Sequence, residues 1–412
     1  ASATDSYNTA VGYNVGNAVT TGIQNVLIGG LAGDSLTDAD FNVAVGTAAL
    51  DADTLGSRSV AIGHITLSAQ NFTTATDSYN TAVGYGAGTA VTTGEQNTLI
   101  GGLAGEALTV GQNNVAMGVT ALRTDVGGSR SVAIGRGALE AQNMGSTDTN
   151  SHNTAVGYGA GAAVTTGIEN TLIGAAAGDA LTVGNTNVAV GYEALSGDTK
   201  GDRNVAIGRA ALQAQNFTTS TDSYNIGIGY GAGESITTGI QNTLIGGLAG
   251  DALTVGSFNI AIGIEALSAD TLGSGSTAIG RNALSTQNFT TATTTYNTAV
   301  GDRAGLSVTT GIKNTLIGGL AGDATTVGSD NVSVGYTSLG TNVGGAANVA
   351  IGAEALSTMN PGSTSSATYN TAVGAKAGKG ITTGIENTLI GGLAGDALTD
   401  ADYNVAIGKE AL

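Results

Sequence analysis

Along the whole chain, polar and apolar positions repeat in one short frame: a polar Asn, a Val, Thr or Ile, a small or medium apolar residue, another β-branched residue, then Gly. Asn25-Val26-Leu27-Ile28-Gly29 is an example. This Asn-x-(Ala/Leu)-(Val/Ile)-Gly cassette recurs, with local variants, 23 times from Asn8 to Asn404. With its Asn numbered 0, positions +1 and +3 point to one face of an extended segment and 0, +2 and +4 to the other, so each cassette predicts a short strand with two usable faces. Gly fills +4 in every copy, from Gly12 to Gly408, which fits a corner needing a left-handed backbone or a close chain approach. A second Gly stands at +14 in 15 of the 17 rungs that keep a 17-residue step, the exceptions being Ala39 and Ala401. Two corners leave room for a second short strand in each rung. Helix-like pieces such as Arg209-Ala210-Ala211-Leu212 and Glu265-Ala266-Leu267 are bounded by Gly or Asn within a few residues, too short to nucleate a helix.

The spacing of the cassettes predicts stacking. Steps run 17, 17, 17 and then 21 or 22, so four cassettes make a super-repeat of 72 or 73 residues. Residues 1–412 read as a single continuous β-solenoid, divided at about 1–72, 73–145, 146–217, 218–289, 290–362 and an incomplete 363–412. Twenty-three rungs at about 4.8 Å predict a rod of roughly 110 Å. In register, Asn8, Asn25, Asn42, Asn80, Asn97, Asn114 and their counterparts form a column whose amides can bond the rungs above and below, as Asn ladders do. The competing reading of that column is a row of ligand-binding amides.

The second half of each rung carries a compensating pattern. Position +8 reads Gly, Gly, Leu, Leu through each super-repeat, as at Gly16, Gly33, Leu50 and Leu67. Position +11 is Val19 or an equivalent aliphatic in the first rung and Leu36 or an equivalent in the second, with Thr325 the exception. In the third rung it is Asp53, Asp125, Asp198, Asp270 or Asn342, and in the fourth mostly Gln, as at Gln70 and Gln142. One large aliphatic per rung moves between two sites, which conserves interior volume as close packing demands.

Composition narrows the function classes. Gly makes up 68 of 412 residues, aromatics 4%, and there is no Trp or Cys and one Pro, Pro361. The core must therefore be thin, and no disulfide can brace it. Charged residues are sparse at 11% and mean hydropathy is slightly positive, against a disordered chain. Net charge is −18 with the basic residues scattered, so nucleic acid has no electrostatic footing. No apolar run reaches the roughly 18 residues that span a bilayer, so membrane insertion by this segment is not expected. The chain opens without a leader and stops within a rung without a cap, as expected of a segment of a longer protein or of an assembly that covers its ends.

Candidate chemistry is thin. Two histidines, His64 and His152, stand in different rung types, and His152 occupies a column otherwise held by Tyr7, Tyr79, Tyr224, Tyr296 and Tyr369. Gly29-Gly30-Leu31-Ala32-Gly33-Asp34 and its counterparts approach the calcium-binding nonapeptide with one Gly displaced. Asp34, Glu106, Asp179, Asp251, Asp323 and Asp396 are thus weak metal candidates, one carboxylate per super-repeat against the six to eight oxygens calcium takes. No cofactor motif is complete: Gly84-Tyr85-Gly86-Ala87-Gly88 lacks a following helix, and the Lys376–Lys379 stretch lacks a Ser or Thr after its Lys. Paired Thr residues such as Thr20-Thr21 occur mostly once per four rungs, too seldom for an ice-binding face. Clustered acids with an aromatic platform, as a polysaccharide hydrolase would need, are missing from the pattern. The extra residues after each fourth rung carry Phe72, Met144, Phe217 and Phe289 and are the best candidates for specific contact, as partner-docking points or as plugs against a neighbouring chain.

Asn153-Thr154-Ala155-Val156-Gly157-Tyr158-Gly159-Ala160-Gly161, Thr165-Thr166-Gly167 and Asn187-Val188-Ala189-Val190-Gly191-Tyr192-Glu193-Ala194-Leu195 resemble the repeats of YadA-type trimeric autotransporter adhesin heads. They are still more similar to the 17-residue repeats of phage tail fibres and bacterial surface fibres. The resemblance covers essentially the whole chain. It implies a left-handed parallel β-roll, a homotrimer of chains wound side by side, an extracellular, cell-surface or virion location, and attachment to a surface receptor, glycan or matrix. The expectation is a non-enzymatic fibre shaft or adhesin. The alternative is a structural subunit that associates end to end into a filament without a receptor.

Overall fold

A computed structural model describes residues 5–412, and the chain divides into two units: one of residues up to 203 with 217–221, the other of 204–216 with 222–412. Each unit is a parallel β-solenoid, and no helix occurs among the described residues. In the first unit three-residue strands run from Thr9–Val11 to Val188–Val190, in the second from Val205–Ile207 to Val405–Ile407, one for each cassette. Within each unit pairing is parallel and position for position. Thr9, Ala10 and Val11 face Val26, Leu27 and Ile28, and Ile226, Gly227 and Ile228 face Thr243, Leu244 and Ile245.

The expected second strand of each rung does not form generally. Two-residue strands appear only where the third rung meets the lengthened fourth, as in Gly56–Ser57 against Thr76–Asp77 and Gly273–Ser274 against Thr293–Thr294. Elsewhere the second half is a run of tight turns. The reason is a set of left-handed residues that composition conceals: besides Gly +4, positions −1, +6 and +8 have positive φ whatever their side chain, as in Gln24 (φ 56°), Leu31 (62°) and Leu50 (54°). Such residues bend the chain too often for an extended segment to develop. The Ala210-Ala211-Leu212 piece is one of these turns, with Ala210 at 57° and Leu212 at 52°.

Position +2 is the core of the strand. From Leu27 onward it is buried in every rung, while +1 and +3 keep partial exposure. The aliphatic exchange between +8 and +11 is present, with a third partner that patterning missed: the Leu at +2 in the second rung of each super-repeat. Leu27 lies between Gly16 and Gly33, and a Cβ on either glycine would stand 2.7 Å or 2.9 Å from its methyls. Gly at +8 is therefore the space that Leu27 and its counterparts fill. In the third and fourth rungs +2 shrinks to Ala44 and Ala61, and Leu50 and Leu67 at +8 take over the volume. Burying each such Leu contributes about 2 kcal/mol, and the stack sums these small terms rung by rung.

The Asn column is a staple more than an amide-to-amide ladder. Asn25 Nδ2 donates to the carbonyl of Ala39 in its own rung (2.8 Å), and its Oδ1 accepts the backbone N–H of Asn42 in the next (2.9 Å). Asn42, Asn97 and Asn114 repeat both bonds, and in the second unit Asn242 and Asn314 do so. Side-chain bonds between neighbouring Asn residues occur as a supplement, for example Asn170 Nδ2 to Asn153 Oδ1 at 3.2 Å. Every polar atom of a fully buried amide is thereby used, which accounts for Asn without a ligand.

Candidate interaction surface

Two places in each super-repeat depart from a closed apolar wall: the outward face of the strands, and the lengthened fourth rung. The outward face follows from the cassette. With +2 turned inward, the aliphatic residues at +3 form a ribbon beside a +1 row in which Val or Ile alternates irregularly with Thr, and Ile28, Ile62, Ile173, Ile317 and Ile390 remain more than a third exposed. Both margins are aromatic. All twelve tyrosines of the chain stand immediately before or after a cassette, at −1 (Tyr7, Tyr79, Tyr224, Tyr296, Tyr369, Tyr403) or +5 (Tyr13, Tyr85, Tyr158, Tyr192, Tyr230, Tyr336). Each is 46–76% exposed. Phe41 and Phe258 join the −1 column, where the Arg58 guanidinium lies 4.9 Å from the Phe41 ring and 5.8 Å from that of Tyr79. An aliphatic strip of this extent bordered by exposed aromatics is unusual on an isolated soluble surface and common at contacts. His152 occupies the −1 column as expected and is exposed, while His64 stacks against Tyr85 at 5.6 Å.

At the fourth rung the candidate contact residues turn inward. Phe72, Phe217 and Phe289 are only 5–6% exposed, covered by their own chain, and Met144 is half-buried. The expectation that these four meet a partner or a sister chain is corrected for the three Phe residues: each is a plug within its own molecule. A Cβ on Gly56 would stand 2.8 Å from Phe72 Cδ2, so the ring closes over the bare +14 backbone of the preceding rung. In the fifth super-repeat, where Pro361 replaces the Phe, the buried Met359 reaches the same place, with Cε 2.7 Å from a Cβ on Gly345. Phe289→Ala should therefore lower local stability by about 3 kcal/mol. Faster amide exchange at Gly273–Ser274 and Thr293–Thr294 is the readout, and unchanged protection there would contradict the plug.

Behind the plug lies a buried carboxylate that sequence reading noted as a column and did not interpret. Asp53 Oδ1 accepts the N–H of Gly56 (3.0 Å) and of Phe72 (3.2 Å), and its Oδ2 accepts from Gln70 Nε2 (2.6 Å). Gln70 also donates to Ser59 Oγ (2.8 Å), and its Oε1 accepts from Asn80 Nδ2 (2.9 Å). Asp125 with Gln142, and Asp270 with Gln287, repeat the arrangement. Burial pushes the Asp53 and Asp270 carboxyls above the ordinary aspartate range, and the Gln amide and backbone N–H groups oppose that shift. In the fifth super-repeat both partners change together, to Asn342 and Met359. Asn342 turns to Gly345, accepting its N–H at 2.8 Å and donating to its carbonyl at 2.9 Å, and Met359 Sδ lies 3.7 Å from Asn370 Nδ2. Without the Gln donor no buried negative charge is kept.

The six acids weighed as metal ligands do not converge. Glu106 is ion-paired with Arg123 at 2.8 Å. Asp179, Asp251 and Asp323 are half-buried on the turn after +8, and desolvation raises their carboxyls. Asp34 and Asp396 occupy the same turn of their own super-repeats. Among the described residues no group of three or more His, Cys, Asp or Glu is placed to hold a metal ion, and no helix is long and apolar enough to cross a membrane.

Comparison with protein-family models and with characterised protein sequences finds no match for this chain.

Proposed function

We propose that this protein is a non-enzymatic fibre shaft of the surface-adhesin kind, in which three copies wind side by side as left-handed β-rolls and carry multivalent attachment to a cell surface or matrix. One observation carries the reading: a partly exposed aliphatic ribbon at +3, flanked by Val, Ile or Thr at +1, and bordered on both margins by every tyrosine of the chain. A single copy closes its own interior, with the large aliphatics at +2, +8 and +11 buried, yet leaves this second apolar face in water. Joining copies along it recovers burial at about 25 cal/mol per Å², and exposed Tyr rings suit a contact apolar at its centre and wet at its rim. Repetition then multiplies weak receptor contacts into avidity.

Mass decides the first part. Sedimentation equilibrium at micromolar concentration should give three times the 39.9 kDa chain. Because each copy carries a net charge of −18, association should tighten as salt screens the repulsion. Ile173→Asp places a charge on the ribbon without touching the core and should shift the monomer–trimer equilibrium to higher concentration with an unchanged far-ultraviolet spectrum. A monomeric parent chain would overturn the trimer, and a mass that climbs without limit would favour the end-to-end filament.

A further inference from the structure

The wall formed by positions +5, +6 and +9 carries a recess among the described residues. It lies in the first unit between the second and third super-repeats, measures about 490 Å³, and is lined by Arg123, Arg136, Glu140, Tyr158 and Asp179 over a floor of Gly and Ala. That volume falls within the roughly 300–1,000 Å³ of small-ligand sites.

Two missing side chains create it. Position +6 of the second rung is Leu31, Leu103, Leu248, Leu320 and Leu393 in five super-repeats and Ala176 in this one. In the two other super-repeats with a glycine one rung back, the Leu lies over it: a Cβ on Gly86 would meet Leu103 Cδ2 at 3.0 Å, and one on Gly231 would meet Leu248 Cδ2 at 3.0 Å. At Gly159, the equivalent position, a Cβ would meet nothing within 4 Å. The backbone is unchanged, with φ of 53° at Ala176 against 60° at Leu103. Position +6 of the fourth rung, which is Ile65, Ala210, Asn282 or Glu354 elsewhere, is Gly137 here.

The rim is polar, and its signs alternate. Arg123 is held by Glu106 at 2.8 Å and approaches Glu140 at 3.9 Å. Arg136 lies over the Tyr158 ring, 5.6 Å from its centre, and donates to the Tyr158 hydroxyl at 3.2 Å, leaving most of its five donors for a ligand. Asp179 lines the recess with its carboxylate; its Oδ1 is buried without a hydrogen-bond partner, as are those of Asp51 and Asp251 on the same turn of other rungs, so that orphan belongs to the turn and the recess meets the other oxygen. A phosphate or other simple anion would be repelled by Glu140 and Asp179, and a simple cation by the two arginines. A hydroxyl both donates and accepts, so a ring bearing several of them satisfies guanidinium and carboxylate at once, with an apolar C–H edge for the tyrosine.

We infer that this recess binds a neutral hexopyranose ring, held by Arg136, Glu140 and Asp179 against Tyr158. The inference deepens the attachment reading and rests on it only in making the ring part of a surface glycan.

Saturation-transfer NMR on the 412-residue chain with methyl β-galactoside, methyl β-glucoside and N-acetylglucosamine tests it, with inorganic phosphate and glycine as charged comparators. At least one neutral ring should receive saturation, and Ala176→Leu should abolish the signal by restoring the side chain that five other super-repeats carry. Glu140→Gln, which leaves the packing alone, should weaken it. Transfer to no neutral ring, transfer to the charged probes alone, or an undiminished signal in both variants would overturn the site. A monomeric mass with the sugar signal intact would remove the trimer and leave the recess. A trimer without the signal would do the reverse.

Discussion

Replacing Gln287 by Met should cost about 3 kcal/mol of local stability, and making Asp270→Asn in the same chain should return a large part of it. Asp270 is fully buried, and among the described residues Gln287 Nε2 is the side-chain donor on its Oδ2, at 2.6 Å. Removing that donor leaves a charged oxygen unsatisfied in the interior, which costs more than the bond itself is worth. Asp270→Asn alone should cost about 2 kcal/mol by the same rule, because it sets an amide N–H₂ against the Gln287 N–H₂. Flipping Gln287 only moves the conflict, since its Oε1 already accepts from Asn297 Nδ2 at 2.8 Å. The Asn–Met pair is a combination this chain already uses at Asn342 and Met359. Some cost remains in the double variant, because Phe289 occupies space that Met359 fills in its own super-repeat. A double-mutant cycle read by amide exchange around Gly273 should give a coupling of about 2 kcal/mol, and additive effects would show that the two side chains do not act as a pair.

The pair also sets a pH dependence. Burial raises the Asp270 carboxyl, so the folded state holds its proton more tightly than the unfolded chain does. Stability from this group is therefore full below the ordinary aspartate range and is lost as pH rises through the folded value. Asp270→Asn removes that slope. Asp53 should behave alike.

Gly157→Ala should be more damaging still, above about 4 kcal/mol, where single substitutions are exceptional. Its φ is 145°, and a Cβ there would stand 2.3 Å from the carbonyl oxygen of Gly174 one rung on. That oxygen belongs to another +4 corner with the same constraint, so the collision cannot be relieved by moving one residue. Gly247→Ala is the matched control. Nothing lies within 4 Å of a Cβ at Gly247, and stability should stay within about 0.5 kcal/mol. Thermal unfolding of the two variants separates a corner that must be Gly from one that merely is Gly, and equal melting would sink the distinction.

How far the residues themselves announced this architecture differs from feature to feature. The cassette spacing, the +4 corner and the aliphatic exchange between +8 and +11 were legible, because each is a strict period in side-chain type. The left-handed turns were not: Leu50 and Gln24 carry no compositional mark of positive φ, and their conformation comes from the stack. Phe72 was read as a contact to a partner or neighbouring chain because it sits in an extra loop, and what it packs on is bare backbone at Gly56 of its own chain, sixteen residues earlier. The Asp–Gln pair had a signal that went unread, the joint change at Asn342 and Met359. The recess had one too, a lone Ala in a column of Leu.

Position-for-position pairing has a hereditary consequence. A crossover between two super-repeats at equivalent positions joins strands that already know how to stack, so recombination can lengthen or shorten this chain by whole super-repeats while leaving every junction familiar. The Asn342–Met359 pair marks the exception. A breakpoint falling between those two residues would leave a buried aspartate beside a methionine, or an asparagine beside a glutamine, and such descendants would be selected against.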